Sequence, residues 1–383
     1  MISKFNQLCP VTFGAGAVAQ TGQIAKEQGI TKALIMADPK VRELGLTKSL
    51  EASLDEAGIP YVIFDGIETD APDYTVVAAG KMAEEFGADG IIGIGGGSTL
   101  DAAKAASVLN GSDIGRDDLM ALIPQFRPQV KNIMIPTTSG TGSENTTVAV
   151  VTNTETHYKT GIFALPHYAI VDPELTNTVP RDVTLYTGIN AMSHANEALC
   201  STLNPNPNTD ILAYDVFDKV FHWLPVAADD PENAEARENL AIASNAGGRA
   251  FADAPVHLGH AMAHAMGANY HIPHGYACAW VTPVIIEYMA DACPKKYLKV
   301  AKLIDLELST DDPAVFPHEI AEYLRANFKK WGLPTPKDLG FTREDFLNCT
   351  EYTKNEIMST FGLKKPTEDE IRDLLGKVYD TYC

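Results

Sequence analysis

Four short apolar segments in the first half of the chain have the length of buried parallel strands, and each ends at turn-forming residues. The segments comprise residues 33–37, 61–64, 90–94 and 132–135. Between them apolar residues recur at helical spacing, as in residues 74–86, where Val77, Met82 and Phe86 share one face. Strands that alternate with helices predict a parallel sheet with helices on both faces.

From about residue 183 onward the helical spacing dominates, and strand patterns are almost absent. Helices are predicted for the segment that begins at Asn208–Asp210 and for residues 234–250, 319–331 and 367–379. In the last of these, Glu370 is placed to pair with Thr367 in a capping box. We therefore expect two domains, an α/β domain of residues 1–182 and an all-α domain of residues 183–383.

Composition and charge narrow the classes of partner. The formal net charge of −20 disfavours nucleic acid and anionic lipid as main partners. No apolar run approaches the ~18 residues of a membrane span, and the first residues lack the pattern of a signal peptide. The six cysteines are scattered without a C-x-x-C motif, which is typical of reduced thiols. We expect a cytoplasmic protein with no nucleic-acid or membrane partner.

Two loops have a composition suited to phosphate groups. Residues 93–98 form a glycine-rich turn between a predicted strand and a helix that starts near Thr99. Glycines allow backbone N–H groups to approach a pyrophosphate, and the helix N-terminus adds partial positive charge. Residues 136–144 follow another strand and are rich in hydroxyl groups and glycine. The alternatives are a tight turn without a ligand for the first loop and a plain connection for the second.

Asp38 ends the first of the predicted strands. An acidic side chain at such a position accepts hydrogen bonds from both hydroxyls of an adenosine ribose, and its charge repels a 2′-phosphate. A helix cap or turn aspartate is the alternative interpretation, and position alone does not separate the two.

Histidines are concentrated in residues 257–274. The five residues are His257, His260, His264, His271 and His274. His260 and His264 are four residues apart and share one helix face, and we expect His257 one turn earlier on that face. A set of buried histidines with ordinary hydrogen-bond partners is the alternative.

A metal site is the functional interpretation of this cluster. Asn190 and His194 are also four residues apart, on an earlier helix. Two helices would then bring together His194, His260 and His274, with an oxygen ligand from Asn190. Neutral imidazoles in this number suit iron(II) or zinc, and an open coordination position would suit catalysis.

Five motifs in one order resemble the iron-containing, or group III, alcohol dehydrogenase family, and the resemblance covers nearly the whole chain. Residues 95–104 match the pattern G-G-G-S-x-x-D-x-A-K. The other four matches are the hydroxyl-rich loop 137–144, residues 169–175, and the metal-region segments 260–264 and 272–275.

The resemblance implies a dinucleotide-binding α/β domain followed by an all-α metal-binding domain, the architecture that dehydroquinate synthase shares. It implies NAD(H) and one divalent ion, Fe²⁺ or Zn²⁺, as cofactors, and His264 beside the nicotinamide. The implied metal ligands are Asn190, His194, His260 and His274. The implied cofactor-binding residues are Asp38, Gly95, Gly96, Gly97, Ser98, Asp101, Thr137, Thr138, Thr141 and Lys159.

One ligand position departs from the family, which normally has aspartate where this chain has Asn190. An amide offers a carbonyl oxygen but no charge. Attraction for a dication should therefore fall, and a bound alkoxide should be stabilised more strongly.

The lost charge also bears on the substrate. The family mostly handles short-chain alcohols, diols and aldehydes, and a site without a carboxylate would not repel an anionic aldehyde such as sulfoacetaldehyde. We expect a substrate pocket that contains Asn145, Thr147, Phe251 and His257, with His257 as a protonatable group.

The predicted function is reversible hydride transfer between NAD(H) and a small alcohol or aldehyde whose oxygen the metal polarises. His264 is the candidate proton relay, because it lies one turn from a ligand and titrates near neutrality. The alternatives are a dehydroquinate synthase-like lyase, which would need a more basic pocket, and a non-catalytic NAD-binding homologue with a decayed metal site. We expect a homodimer or larger homo-oligomer.

Overall fold

The computed structural model describes residues 3–6, 9–112, 114–121, 125–156 and 158–382. The chain forms two compact units. We call Gln7–Val179 with Pro231–Ala241 the sheet unit, and Met1–Asn6 with Pro180–Asp230 and Ile242–Cys383 the helical unit.

The sheet unit contains a six-stranded parallel sheet in the order β1-β8-β5-β4-β2-β3, together with an antiparallel hairpin of β6 and β7. The strands are β1 (Val11–Phe13), β2 (Ala33–Ala37), β3 (Tyr61–Phe64), β4 (Gly90–Gly95), β5 (Lys131–Pro136), β6 (Val148–Thr152), β7 (Lys159–Phe163) and β8 (Tyr168–Val171). The helices are α1 (Thr21–Glu27), α2 (Pro39–Glu43), α3 (Lys48–Ala57), α4 (Asp73–Phe86), α5 (Gly97–Gly111) and α6 (Arg116–Met120).

Both faces of the large sheet are buried, which explains the continuous apolar strands. Successive residues of β4 point to opposite faces, so Ile91 packs into one hydrophobic cluster and Ile92 into the other. Ile92 is in register with Ile35 of β2 and Ile133 of β5. The predicted α/β class of the first half is thereby confirmed.

The helical unit contains α-helices and short 3₁₀ turns but no strand within its described residues. The α-helices are α7 (Arg181–Cys200), α8 (Pro207–Asp229), α9 (Ala234–Asp253, of which residues from Ile242 onward belong to this unit), α10 (Leu258–Tyr270), α11 (His274–Met289), α12 (Pro294–Leu303), α13 (Phe316–Lys330), α14 (Arg343–Leu347), α15 (Thr350–Asn355) and α16 (Glu368–Tyr382). In the part of the chain that the structure describes, no helix is both long and apolar enough to cross a bilayer.

Two predicted helix starts illustrate what local sequence settles. The capping box before α16 is confirmed: Thr367 N donates to Glu370 Oε2 at 2.7 Å, and Glu370 N donates to Thr367 Oγ1 at 3.3 Å. The predicted start of α8 at Asn208–Asp210 is wrong by one to three residues. Asn206 is the cap, since its Oδ1 accepts from Thr209 N at 3.0 Å and Pro207 occupies the first helical position.

Candidate dinucleotide and metal sites

The candidate dinucleotide site lies at the carboxyl ends of three neighbouring strands. β4 is paired with β2 on one side and with β5 on the other, so the residues that follow these strands meet at one sheet edge. Asp38 follows β2, residues 96–98 follow β4, and Thr137 follows β5. An open pocket of about 660 Å³ at this edge is lined by residues 38–40, 67–69 and 96–99, which include Asp38 and the neighbouring cation Lys40. Ligands of open α/β sheets bind at such carboxyl ends.

The glycines of the 93–98 turn allow the second loop to come close. Thr137 N donates to Gly95 O at 2.9 Å. A Cβ atom at Gly97 would lie 2.6 Å from Thr141 Cγ2, and one at Gly96 would lie 3.6 Å from Thr138 Oγ1. No side chain therefore covers the backbone at Gly96 and Gly97, and residues 96–99 at the start of α5 line the pocket. An anion-binding helix N-terminus requires backbone N–H groups that are accessible in this way.

Asp38 combines the two interpretations that the sequence leaves open. It is the cap of α2, since its Oδ1 accepts from Val41 N at 2.9 Å. It also lines the pocket. A carboxylate has four lone-pair positions, so the capping bond leaves acceptor capacity for hydroxyl groups.

Lys159 is tied to the same edge through Asp70. Its Nζ lies 2.7 Å from Asp70 Oδ1, and Asp70 N donates to Ser98 Oγ at 3.0 Å. Lys159, at the start of β7, and Ser98, at the start of α5, are thus joined by one residue. This contact brings a cation close to the predicted phosphate loop, and direct contact of either residue with a cofactor stays a prediction.

Asp101 and Lys104 connect α5 to the segment that follows β5, and contact of Asp101 with a cofactor stays a prediction. Lys104 is fully buried, and its Nζ lies 3.1 Å from Asp101 Oδ1 and donates to Val148 O at 2.7 Å and Ser143 O at 3.0 Å. Ser143 Oγ donates to Asp101 at 2.5 Å. Burial lowers the pKa of Lys104, and Asp101 opposes that shift. These contacts fix the segment from Ser143 to Val148 against α5, and Asp101 stabilises that segment through Lys104 and Ser143.

The histidine site lies within the helical unit on three helices rather than the two expected. His194 is on α7, His260 and His264 are on α10, and His274 is the first residue of α11. The His260 ring stacks on His194 with centroids 4.8 Å apart and lies 5.4 Å from the His274 ring. His264 lies 5.5 Å from His274, centroid to centroid. The structure therefore brings the four predicted histidines together.

A buried carboxylate orients the central ring. Glu197 Oε1 lies 2.8 Å from His260 Nδ1, and Oε2 accepts the backbone N–H of His257. A carboxylate can only accept, so His260 carries its proton on Nδ1 and turns Nε2 toward His274. Burial opposes charge on this ring, but Cys278 and Glu197 raise the pKa of His260 to about 10. Carboxylate–histidine pairs of this kind accompany metal sites.

Cys278 completes a compact set of metal donors that sequence reasoning missed. Ligand atoms of His260, His274 and Cys278 all lie within 4.8 Å of one another. Imidazole nitrogens with a sulfur suit zinc and related divalent ions. The residues present therefore fit the divalent ion that the motifs imply. The spacing of four residues between His274 and Cys278 was the available signal, but a single cysteine in an apolar helix is more often a core residue.

Asn190 and Phe251 flank His194. Asn190 is buried one turn before His194 on α7, and its Oδ1 accepts from Ser193 Oγ at 3.3 Å. The ring of Phe251 packs on His194 with centroids 4.3 Å apart. Asn190 as a metal ligand and Phe251 as a substrate contact stay predictions.

His257 does not lie on the helix face predicted for it. α10 begins at Leu258, and His257 precedes it in a non-helical conformation because Glu197 holds its backbone N–H. Its side chain is fully buried against Gly362, with Nδ1 3.4 Å from Glu197 Oε2. Burial lowers the pKa of His257, despite the opposing effect of Glu197. These surroundings do not favour a protonated His257 that binds an anionic group of the substrate.

The remaining predicted residues are placed as follows. His264 is buried, with Nδ1 3.3 Å from Glu356 Oε1, which gives it a carboxylate partner. His271 is exposed at the end of α10, in a left-handed conformation (φ 55°). Asn145 is buried and Thr147 half-buried in the sheet unit, and their role in a substrate pocket stays a prediction.

Known proteins match both halves of the chain. Residues 10–173 match the family described as iron-containing alcohol dehydrogenase, and residues 184–379 match the C-terminal domain of that family. The chain is 37% identical over 310 residues to the probable alcohol dehydrogenase EutG of Escherichia coli K12, which covers 80% of this chain and 78% of that protein. It is 31% identical to an NADPH-dependent butanol dehydrogenase of Clostridium saccharobutylicum, over 96% of each. The NAD⁺ complex of sulfoacetaldehyde reductase from Bifidobacterium kashiwanohense has a TM-score of 0.88 at 26% identity and covers 100% of both chains.

The chain belongs to the iron-containing alcohol dehydrogenase family. It is therefore an oxidoreductase that acts on CH–OH groups, and the predicted class of enzyme and fold are confirmed. The predicted cofactors, NAD(H) and one divalent ion, agree with a family named for iron in which a solved relative holds NAD⁺. These matches favour the dehydrogenase over the lyase alternative.

Proposed function

We propose that this chain is an NAD(H)-dependent and divalent-metal-dependent dehydrogenase that interconverts small alcohols and aldehydes. The observation that carries the proposal is the donor set of buried His260, half-buried His274 and buried Cys278, with Glu197 orienting the His260 ring. His194 and Asn190 are the further predicted ligands. When bound, the ion supplies a Lewis acid for the substrate oxygen, and the dinucleotide donates or accepts the hydride.

The protein's own residues position these reactants. The bare start of α5 provides backbone N–H groups for the pyrophosphate. Glu197 accepts the proton on His260 Nδ1, so Nε2 is the nitrogen left to bind a cation, which displaces the proton that the raised pKa keeps there. His264, with Glu356 beside its Nδ1, is placed to hold and pass the proton that leaves the alcohol or returns to it.

Turnover with added metals tests the proposal. Metal-depleted protein and NADH would be combined with short aldehydes, with Fe²⁺, Zn²⁺ or Mn²⁺ added singly. We expect activity with at least one ion, and no bound ion or activity in His260→Ala. His271→Asn is the matched control, because His271 is exposed and asparagine tolerates its left-handed conformation. Full activity in metal-free protein, shown by elemental analysis, would overturn the proposal.

We propose a preference for NAD(H) over NADP(H), because Asp38 lines the pocket and its charge would repel a 2′-phosphate. One relative is named NADPH-dependent, so the family alone does not decide this point. Asp38→Asn keeps an oxygen that can cap α2 and removes the charge. We expect it to narrow the ratio of kcat/KM values for NADH and NADPH. A native enzyme that used NADPH at least as well as NADH would refute the role of Asp38.

A finer candidate substrate is an anionic short-chain aldehyde such as sulfoacetaldehyde. Asn190 is neutral and buried beside His194, and a relative of the same fold is named for reducing sulfoacetaldehyde. Comparison of kcat/KM for sulfoacetaldehyde, succinic semialdehyde, propanal and lactaldehyde decides the point. A tenfold advantage for propanal, about 1.4 kcal/mol in transition-state binding, would eliminate the anionic candidate.

A further inference from the structure

We propose that Cys278 is a direct ligand of the metal ion and that its thiolate supplies the negative charge that Asn190 lacks. The inference deepens the proposed function, because it concerns the metal site on which that function rests. It assigns the sulfur a role that the family motifs do not give it, and it makes the centre a zinc-type site of imidazoles and one thiolate.

The positions of the donor atoms support this assignment. Cys278 follows His274 by four residues on α11, so both side chains lie on one helix face. Cys278 Sγ lies 3.4 Å from His274 Nε2 and 3.9 Å from His260 Nε2. A nitrogen and a sulfur bound to one tetrahedral zinc ion are about 3.5 Å apart, given bonds of about 2.05 and 2.3 Å. The two observed separations bracket that value.

The distribution of charge points the same way. Two carboxylates lie at the cluster: Glu356 is beside His264 Nδ1, and the two oxygens of Glu197 are engaged by His260 Nδ1 and the backbone N–H of His257. Glu197 therefore contacts His260 at Nδ1, away from Nε2, the nitrogen that faces Cys278. Asn190 offers an amide oxygen without charge. Cys278, 2% exposed, is the group beside both Nε2 atoms that becomes an anion on binding a cation.

Two other roles are compatible with a buried sulfur, and they serve as outcomes of the test. A thiol could donate a hydrogen bond to His274 Nε2 without binding metal, or it could fill space in the core. Cys349 is a useful comparison, because it is also buried in the helical unit and lies 3.8 Å from Asn269 Nδ2, outside the histidine cluster.

Cobalt(II) is the probe, because it occupies zinc sites and gives an intense near-ultraviolet charge-transfer band when a thiolate binds it. Metal-depleted protein would be titrated with cobalt(II) as the native chain, Cys278→Ser, Cys278→Ala and Cys349→Ser. We expect the band in the native chain and in Cys349→Ser, and its loss in both Cys278 variants. Circular dichroism would establish that each variant is folded. A cobalt complex of the native chain without that band would overturn the proposal.

Affinity measured by chelator competition tests the charge argument separately. We expect Cys278→Ser to weaken zinc binding at least tenfold, or about 1.4 kcal/mol. We expect Asn190→Asp to weaken this loss when both changes are combined, since it returns one negative charge to the site. A double-mutant cycle measures that coupling. Equal zinc affinity in the native chain and Cys278→Ser would refute direct ligation.

The two proposals fail in different ways. If the native chain turns over aldehydes with zinc but its cobalt complex shows no thiolate band, Cys278 is not a ligand and the proposed function stands. If the band appears but no aldehyde or alcohol is turned over, the thiolate site stands and the proposed function falls. Metal binding is read out without substrate, so neither result depends on the other.

Discussion

The candidate dinucleotide site and the histidine site differ in the groups that form them. The first is shaped mainly by backbone, since Gly97 leaves no room for a Cβ next to Thr141, and Asp38 adds one carboxylate to its lining. The second is shaped by buried ionisable side chains, with Glu197 and His260 both almost fully buried. The dinucleotide site depends on glycines that have no side chain, and the histidine site depends on the charge of its buried side chains.

This difference predicts how each site responds to mutation. A site made of backbone fails when atoms are added. A site made of buried, paired charges fails when one partner is neutralised, even if the shape is kept. The three predictions below separate these sensitivities, beginning with the largest effect.

Glu197→Gln should damage the histidine site most, although it hardly changes volume. Each Glu197 oxygen accepts one N–H group, and an amide nitrogen would place a donor against one of them. We expect metal affinity to fall about 10- to 100-fold, the usual cost of losing a carboxylate behind a histidine ligand. Chelator competition measures the affinity, and NADH titration should show unchanged dinucleotide binding.

Glu307→Gln is the matched control for this change, because Glu307 is exposed in the helical unit. Its metal affinity should equal that of the native chain. If Glu197→Gln retained native metal affinity, the histidine site would not depend on the buried carboxylate and the contrast with the other site would break down.

Gly97→Ala should damage the dinucleotide site and spare the metal. The added Cβ would lie 2.6 Å from Thr141 Cγ2 and 3.1 Å from Thr141 Cβ, so Thr141 must move. We expect NADH to bind about tenfold more weakly, or about 1.4 kcal/mol, by fluorescence titration. Gly115→Ala is the control, because no heavy atom lies within 4 Å of a Cβ there. Equal NADH affinity in both variants would contradict a site shaped by backbone.

Asp73 provides the smallest and most general test, because it is a buried charge in the sheet unit away from the proposed ligand contacts. Its carboxylate accepts from Thr154 Oγ1 at 2.7 Å and Arg116 Nε at 2.9 Å. Burial opposes the charge, but the bonds from Thr154 and Arg116 lower the pKa of Asp73. A lowered folded-state pKa stabilises the protein above the unfolded value, around pH 4, and that contribution is lost as the pH falls through the folded value.

Asp73→Asn should therefore cost about 1 kcal/mol of unfolding free energy at neutral pH and progressively less in acid. Urea unfolding at several pH values measures this, with Asp117→Asn as control, since Asp117 is exposed on the same Arg116 network. A cost that did not shrink in acid would assign the effect to packing rather than charge. NADH and metal binding should not change in either variant.

Much of the fold followed from periodicity, and the exceptions have a common cause. β2, β3, β4 and β5 were predicted because each is a run of apolar residues closed by turn residues. The other four strands were not predicted. β1 has three residues and β7 mixes polar with apolar residues, so neither has a continuous apolar run. β6 and β8 each contain four consecutive apolar residues, as β3 does, and what fixes their place is the strand they pair with, which a local pattern does not specify.

The site divides in the same way. Spacing of four residues placed His260 with His264, because both lie within one helix. Glu197 was missed because its partner His260 is on another helix, 63 positions away. Cys278 was missed although it follows His274 by four residues on α11, because a single cysteine in an apolar helix is more often a core residue. His257 was placed on a helix face that it does not share, because the start of α10 depends on that distant carboxylate.

The complete burial of Lys104 provides a way to measure local opening of the protein. Its ammonium group is enclosed by Ser143 O, Val148 O and Thr146 Oγ1 and has no exposure to solvent. An amine in such a cage cannot meet an acylating reagent until the segment from Ser143 to Val148 detaches from α5. The acylation rate of this one lysine, read by peptide mass mapping, therefore counts the openings of that segment. The opening rate of this segment can thus be measured on the native chain without an added label.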